Sequence, residues 1–432
     1  MQVLSIILLS MKYNKKVLKN GMRIIVVPIA DAPSVTVMSL VEAGSEYEKK
    51  EENGISHFLE HMCFKGTVKR PKAIDISREF DSLGAQNNAF TSQEVTGYWA
   101  KAHPKHTDKL LDIIADMYLN PTFPVEDLEK EKGVIVEEIN MYEDLPHRSV
   151  YDVYAELLFG DQPAGRSIAG TPANVRSFGR EDFVKYRREH YTAEATTIVV
   201  AGKVQSAKIF KKVAEAFKEI PITKNKKKTK VKEVQTKPEV KLKYKETDQT
   251  HLIIGVRSYN VYSKKNTALK VLSTVLGGGM SSRLFQKMRE ELGICYYVRS
   301  GNDAFTDHGS LCVSAGVDST RVEEGIKAIL GELKRIRDEK IPSEELRKAK
   351  DYIIGNLYLG LESSDSLADF YGFQEILREE IKSPKEMEKE IEKITASDIQ
   401  KVAKEIIQNK RLNLAIVGKY QDEERFRKIL SV

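Results

Sequence analysis

In the stretch ISHFLEHMCFKGT, residues 55–67, two of the chain's eight histidines flank a glutamate, as His57-Phe-Leu-Glu60-His61. Successive residues of an α-helix turn by about 100°, so His57 and His61 stand one turn apart on one face. Imidazoles so placed can present nitrogens to a single zinc ion at roughly 2.0–2.1 Å. Glu60 lies on the same side, offset enough to miss the metal and reach a bound water. A base beside a metal-held water is the equipment for hydrolysis. The competing reading, a solvated helix face with chance polar residues, must place a quarter of a scarce residue type within five positions.

A metal that activates water needs a third protein ligand and an open position. The stretch DLEKEKGVIVEEINMYEDLP, residues 127–146, offers Glu131, Glu137 and Glu138 on one expected helix. Glu131 and Glu138, seven apart, share a stripe, whereas Glu137 points about 100° away. From composition alone, a solvated helix face is the better reading of either Glu131 or Glu138. Cys63, two residues past His61 and on another side of the helix, reads as a buried small hydrophobe rather than a ligand.

The elements that must position these residues repeat. Residues 181–213 have a counterpart in 397–430, with Asp182 opposite Asp398 and Gly202 opposite Gly418, an offset of 216. FPVEDLEKEKGVIVEEI matches IPSEELRKAKDYIIGNL, with Pro124 on Pro342 and Leu128 on Leu346, an offset of 218. A unit of half the chain is a duplicated domain rather than a solenoid. The expectation is an α+β fold of two duplicated domains, each a mostly antiparallel sheet packed against helices. The domains fall at 12–221 and 241–432, joined by a solvated basic linker at 222–240. The duplication also supplies an internal control. Opposite NGISHFLEHMCFKG stands NTALKVLSTVLGGG, residues 266–279, which keeps the apolar helical spacing without histidine or glutamate. Likewise Ala349 stands opposite Glu131 and Asn356 opposite Glu138. Folding does not require the polar set.

The matching segments HFLEHMCFKGT, GAQNNAFTSQEVTGYWA, EKEKGVIVEEINMYEDLP and GGGMSSRLFQKMREELGICYYV run in order along the chain. This set resembles the pitrilysin-type inverzincin zinc peptidases, especially half-length members akin to mitochondrial processing peptidase and its bacterial relatives. The resemblance implies one zinc per chain, held by His57, His61 and Glu138, with Glu60 as general base. It implies that Glu131 supports the site from behind the ligands. Asn88 and Ala89 match peptide-contacting positions on a sheet edge, where substrate adds as a strand. Phe64 and Phe90 match an apolar side pocket, although each reads about equally well as core. Arg289 and Tyr296 match an arginine–tyrosine pair that positions substrate and donates to the oxyanion. The resemblance further implies a closed chamber that admits peptides or unfolded segments, built by pairing two chains, most simply as a homodimer.

Composition narrows the alternatives. Hydrophobic residues at 41% and charged residues at 31% fit a globular protein and not a disordered one. The formal charge of +6 is concentrated in residues 224–245, where the densest part lacks interleaved aromatics, so no nucleic-acid partner is expected. Three scattered cysteines make no disulfide framework and suit a reducing compartment. The apolar run at residues 3–9 is far too short to span a membrane, and Met11 rather than Met1 is a candidate start. A cytoplasmic location without membrane partners is therefore expected. Three rivals remain: a non-catalytic or heteromeric scaffold subunit of the same family, a small-molecule metal enzyme sharing the His-x-x-Glu-His pattern, and a binding module using the basic linker, which salt-dependent nucleic-acid retention would reveal. Short S-ribosylhomocysteine lyases exemplify the second; they lack the duplication and use a cysteine ligand.

Overall fold

The computed structural model describes residues 12–378 and 380–432; the apolar run at 3–9 and the candidate start at Met11 lie outside them. The chain divides into two compact units. The first comprises Met1–Ile139, Ser167–Thr229 and Tyr358–Ser383; the second comprises Asn140–Arg166, Lys230–Leu357 and Pro384–Val432. Among the described residues, no helix is long and apolar enough to cross a membrane.

The first unit holds six strands: β1 (Asn14–Val17), β2 (Arg23–Pro28), β3 (Val35–Val41), β4 (Gln86–Thr91), β5 (Thr96–Ala102) and β6 (Thr196–Gly202). Their order is β1-β2-β6-β3-β5-β4, antiparallel except for the β2–β6 pair. The second holds β7 (Glu239–Tyr244), β8 (Gln249–Arg257), β9 (Cys295–Ala304), β10 (Gly309–Asp318) and β11 (Asn413–Gly418), in the order β7-β11-β8-β10-β9. Here too one pair, β7–β11, is parallel. The two sheets share one plan, so the duplication read from the sequence is a duplication of topology. β4 in the first unit and β9 in the second take matching edge positions.

The units are not the contiguous spans 12–221 and 241–432. The central strands β3, β6 and β11 are buried at every position. A strand with two apolar faces needs cover on both. In the first unit the second cover is the helix Ser364–Leu377, where Gly372 lies so close to Leu40 and Val199 that an added Cβ would approach them to 2.7 and 3.1 Å. In the second unit it is the helix Pro146–Phe159, whose Val150, Val153 and Tyr154 pack with Ile253, Cys312, Ala415 and Val417. Each sequence half thus lends one helix to the other unit. The stretch 222–240 also departs from a solvated linker. The Lys228 side chain is 8% exposed and bridges the buried Glu46 (2.5 Å) and Glu94 (2.6 Å).

Two helices carry the residues of interest: α1 (Ile55–Met62) and α2 (Val125–Asp144). Helix α1 is short, and packing rather than propensity holds it. Ile55, Phe58, Leu59 and Met62 are buried, leaving His57, Glu60 and His61 on the opposite, part-exposed face. It starts at Gly54, whose φ of +100° is left-handed and whose missing Cβ leaves room for the Ala169 carbonyl. The free N–H groups of that first turn are met by Glu48. Its carboxylate accepts from Gly54 N and Ser56 N, both at 2.8 Å, and from Asn53 Nδ2 at 3.0 Å.

Candidate metal centre

On α2, Glu131 is buried, Glu138 is half-buried and Glu137 is exposed. The seven-residue stripe therefore faces α1 and the odd glutamate does not. Glu138 Oε2 lies 3.6 Å from His57 Nε2 and 3.6 Å from His61 Nε2. The imidazole rings are 4.7 Å apart between centroids and inclined at 69°. One donor atom from each of the three side chains falls within 4.8 Å of the others. A tetrahedral zinc with bonds near 2.0–2.1 Å needs donors roughly 3.3–3.4 Å apart, so the two separations from Glu138 suit the ion with little adjustment.

His57 is also in the right chemical form. Burial, together with the neighbouring His61, lowers the His57 pKa to about 4, leaving the neutral imidazole that a metal requires. His61 Nδ1 is 2.9 Å from Glu131 Oε1, which turns its Nε2 toward Glu138. Burial opposes protonation of His61, but the Glu131 hydrogen bond and three surrounding carboxylates outweigh it and raise the pKa. Glu131 would itself be costly to bury as an anion. Its contacts with His61 and with Lys65 Nζ, at 2.6 Å, outweigh that cost and lower its pKa. His57 Nδ1, in contrast, is buried with no hydrogen-bond partner among the described residues.

Glu60 stands apart from the three donors. Its Oε2 accepts a hydrogen bond from Thr91 Oγ1 at 2.6 Å. Burial raises its pKa from the usual value, against the Thr91 bond and the His61 charge. Thr91 ends β4, the edge strand that also carries Asn88, exposed, and Ala89, nearly buried. Phe90 of the same strand stacks on Phe373 at 5.5 Å, and Phe64 packs against the core of the first unit. Cys63 is fully buried, bonded to the Tyr98 hydroxyl at 3.4 Å, and outside the metal cluster; burial pushes its thiol up to about 11. Arg289 and Tyr296 belong to the second unit. The Arg289 guanidinium lies 5.2 Å from the Tyr296 ring centroid and donates to the Tyr296 carbonyl at 2.8 Å. Arg289 sits in a π-helical turn, Gln286–Glu291, and Tyr296 is 71% exposed.

Three contributors escaped the sequence reading: Glu48, Lys65 and Thr91. Lys65 lies just past the end of α1, where helical spacing gives no signal. Thr91 and Glu48 act from other elements and carried none.

The fold thus brings together a candidate metal centre of the inverted His-x-x-Glu-His type. Residues 23–172 match the family described as Insulinase (Peptidase family M16), and residues 177–353 the Peptidase M16 inactive domain. The chain is 35% identical over 388 residues to the uncharacterized zinc protease YmxG of Bacillus subtilis (strain 168), covering 90% of this chain and 94% of that one. It is 32% identical to the uncharacterized zinc protease SCO5738 of Streptomyces coelicolor, covering 95% and 90%. Among solved structures, a protease from Helicobacter pylori superposes with a TM-score of 0.89 at 22% identity, covering 94% of this chain and 99% of that one. The chain belongs to peptidase family M16.

Proposed function

We propose that the chain is an active zinc-dependent endopeptidase acting on peptides and unfolded polypeptide segments. The observation that carries this reading is the convergence of His57 Nε2, His61 Nε2 and Glu138 Oε2 beside a carboxylate, Glu60, that takes no part in the convergence. Zinc held by the three would supply Lewis acidity, bringing the pKa of a water toward about 7 and polarising a scissile carbonyl. The remaining work falls to the side chains. Glu60 removes a proton from the attacking water and returns it to the leaving amine. Its raised proton affinity suits a group that must accept a proton and then part with it. Glu131 keeps the His61 ring turned to its task.

Asn88 and Ala89, on the edge strand, take the backbone of an extended peptide, and main-chain bonding of this kind tolerates many sequences. Phe64 and Phe90 border an apolar side-chain pocket. Tyr296 is assigned as donor to the oxyanion and Arg289 as a substrate-positioning cation. A homodimer enclosing the substrate belongs to the same proposal, and sedimentation of the purified protein checks it.

The second reading is a scaffold without activity, and the name of the family segment matched by residues 177–353 is consistent with one. Against it, all four of His57, Glu60, His61 and Glu138 are present, and all lie in the 23–172 segment. The deciding experiment incubates wild-type and Glu60→Gln protein with a mixed peptide library, with and without chelator, and identifies products by mass spectrometry. Cleavage by zinc-loaded wild type alone supports the peptidase. A zinc-loaded wild type that cuts nothing the variant spares leaves the scaffold.

A further inference from the structure

We infer that Thr91 is a positioning residue for Glu60: its hydroxyl fixes the base by one oxygen and leaves the other for the proton. The inference rests on the peptidase reading above and goes beyond it, because it assigns a task to a residue outside the metal cluster.

Glu60 projects from α1 on a side chain with several rotatable bonds. A base in that state spends much of its time out of reach of the water it must deprotonate. The Thr91 Oγ1 bond to Glu60 Oε2, at 2.6 Å, has the short length of a hydroxyl donating to a carboxylate. It is also the one hydrogen bond Glu60's side chain makes among the described residues. The geometry is therefore one-sided. Oε2 is tethered and Oε1 has no protein donor competing for it. A carboxylate gripped at both oxygens would be rigid but a poorer proton acceptor; an ungripped one would wander.

The tether helps only if Thr91 is itself fixed, and the turn that follows it is held by several hydrogen bonds. Ser45 N donates to the Ser92 carbonyl at 3.2 Å, and Glu46 N to the Gln93 carbonyl at 2.8 Å. A Cβ on Gly44 would approach the Gln93 carbonyl oxygen to 2.7 Å, so the two segments are in close contact. Ser92 Oγ closes the turn on itself by donating to the Val95 carbonyl at 2.8 Å and accepting from Val95 N at 3.1 Å. The Glu94 side chain is joined through Lys228 to Glu46. The strand end is thus anchored on both flanks, with β5 on one side and the Gly44–Glu46 segment at the turn. Thr91 also shares its strand with Asn88 and Ala89, three and two residues earlier. Peptide placement and base placement are set by one stretch of backbone.

Thr91→Val removes the donor while keeping shape and strand preference. Thr91→Ser restores a hydroxyl. With a peptide cut by the wild type, Thr91→Val is expected to lower kcat by about 10- to 100-fold with KM within about twofold. Thr91→Ser is expected to recover most of that loss. Two readouts are independent of turnover. Zinc titration should give the same affinity for all three proteins, and a crystal structure of Thr91→Val should show the Glu60 carboxylate displaced or in more than one position. Thr91→Ala serves in place of valine should that variant fail to fold. The inference is overturned by a valine variant with wild-type kcat, by a serine variant no better than valine, or by an undisturbed Glu60. A wild type that cuts no peptide would instead sink the peptidase reading, and the crystal structure would still judge the tether.

Discussion

Helix α1 and the helix Asn266–Gly277 occupy matching places in two sheets of one plan, yet only one of them carries histidines and a glutamate. Their buried sides are alike. Ile55, Phe58, Leu59 and Met62 do for the first what Ala268, Val271, Leu272 and Val275 do for the second. Their other sides differ. Where α1 has His57, Glu60 and His61, the later helix has Lys270, Ser273 and Thr274. The partner helices repeat the lesson. Glu131 is 6% exposed and its counterpart Ala349 is 3% exposed, so one position is equally buried in both but charged in one. Burying a carboxylate where alanine serves makes sense only if its partners, His61 and Lys65, need it there. The fold accepts either set, and the polar set marks a task.

The largest effect that could break this comparison is the loss of the base. Glu60→Gln keeps size and hydrogen-bonding capacity but cannot take a proton. Peptide hydrolysis should fall by about 10²- to 10⁴-fold while the protein stays folded and binds zinc as before. Product formation by mass spectrometry and metal analysis of the same sample check both halves. A variant that loses metal or unfolds along with activity would put Glu60 in the structural set and erase the contrast.

Next in size is a pH effect at the entrance to α1. Burial raises the Glu48 pKa from 4.5 to about 7, against the bonds it accepts from Ser56 and Gly54. The folded protein holds that proton more tightly than the unfolded chain does. Its contribution to stability is therefore complete below about pH 4.5 and is lost as the pH rises through about 7. The span is at most about 3 kcal/mol. Glu48→Gln cannot titrate, so the difference in denaturation midpoint between wild type and variant should change across this window and level off on either side. Parallel curves would show that Glu48 does not sense pH.

What could be read from the sequence divides along a physical line. The histidine pair and Glu60 are legible because one helix fixes their relation, and a period of 3.6 residues suffices to place them. The duplicated topology is legible for a similar reason, since its strands and turns recur at nearly constant offsets. Glu138 is a harder case: spacing separates it from Glu137 but not from Glu131, and only the family resemblance made the choice. The contact with Thr91 joins a helix to a strand thirty-one residues on, and no local pattern reports it. The exchange of helices is hidden for the same reason. An amphipathic helix declares which of its faces is buried, not which sheet buries it. Lys228 was misread because charge runs are usually solvated, and nothing local distinguishes the one lysine that meets two buried carboxylates.

A smaller effect follows from installing the second unit's residue in the first. Glu131→Ala copies Ala349 and removes the group that orients His61. Zinc affinity should weaken by about 10- to 100-fold, measured by competition with a chelator. The metal-free protein should remain folded, because the matching alanine is tolerated in the other unit. Unchanged affinity would make Glu131 a passenger in the site.

The smallest effect tests the comparison from its other side. In the second unit, too, the helix is bonded to the edge strand: Ser273 Oγ lies 3.1 Å from Ser300 Oγ on β9. By position Ser273 answers to Glu60, and Ser300, like Thr91, reaches the helix from the edge. A helix-to-edge bond is therefore part of the common plan, and only in the first unit is one partner a carboxylate with a free oxygen. Ser273→Ala should cost about 0.5–1.5 kcal/mol in a denaturant titration, the worth of one neutral hydrogen bond. Zinc affinity and kcat should be unaffected. Should the alanine variant instead lose activity with stability intact, the second helix would have a chemical task of its own, and the division between one working helix and one structural helix would fail.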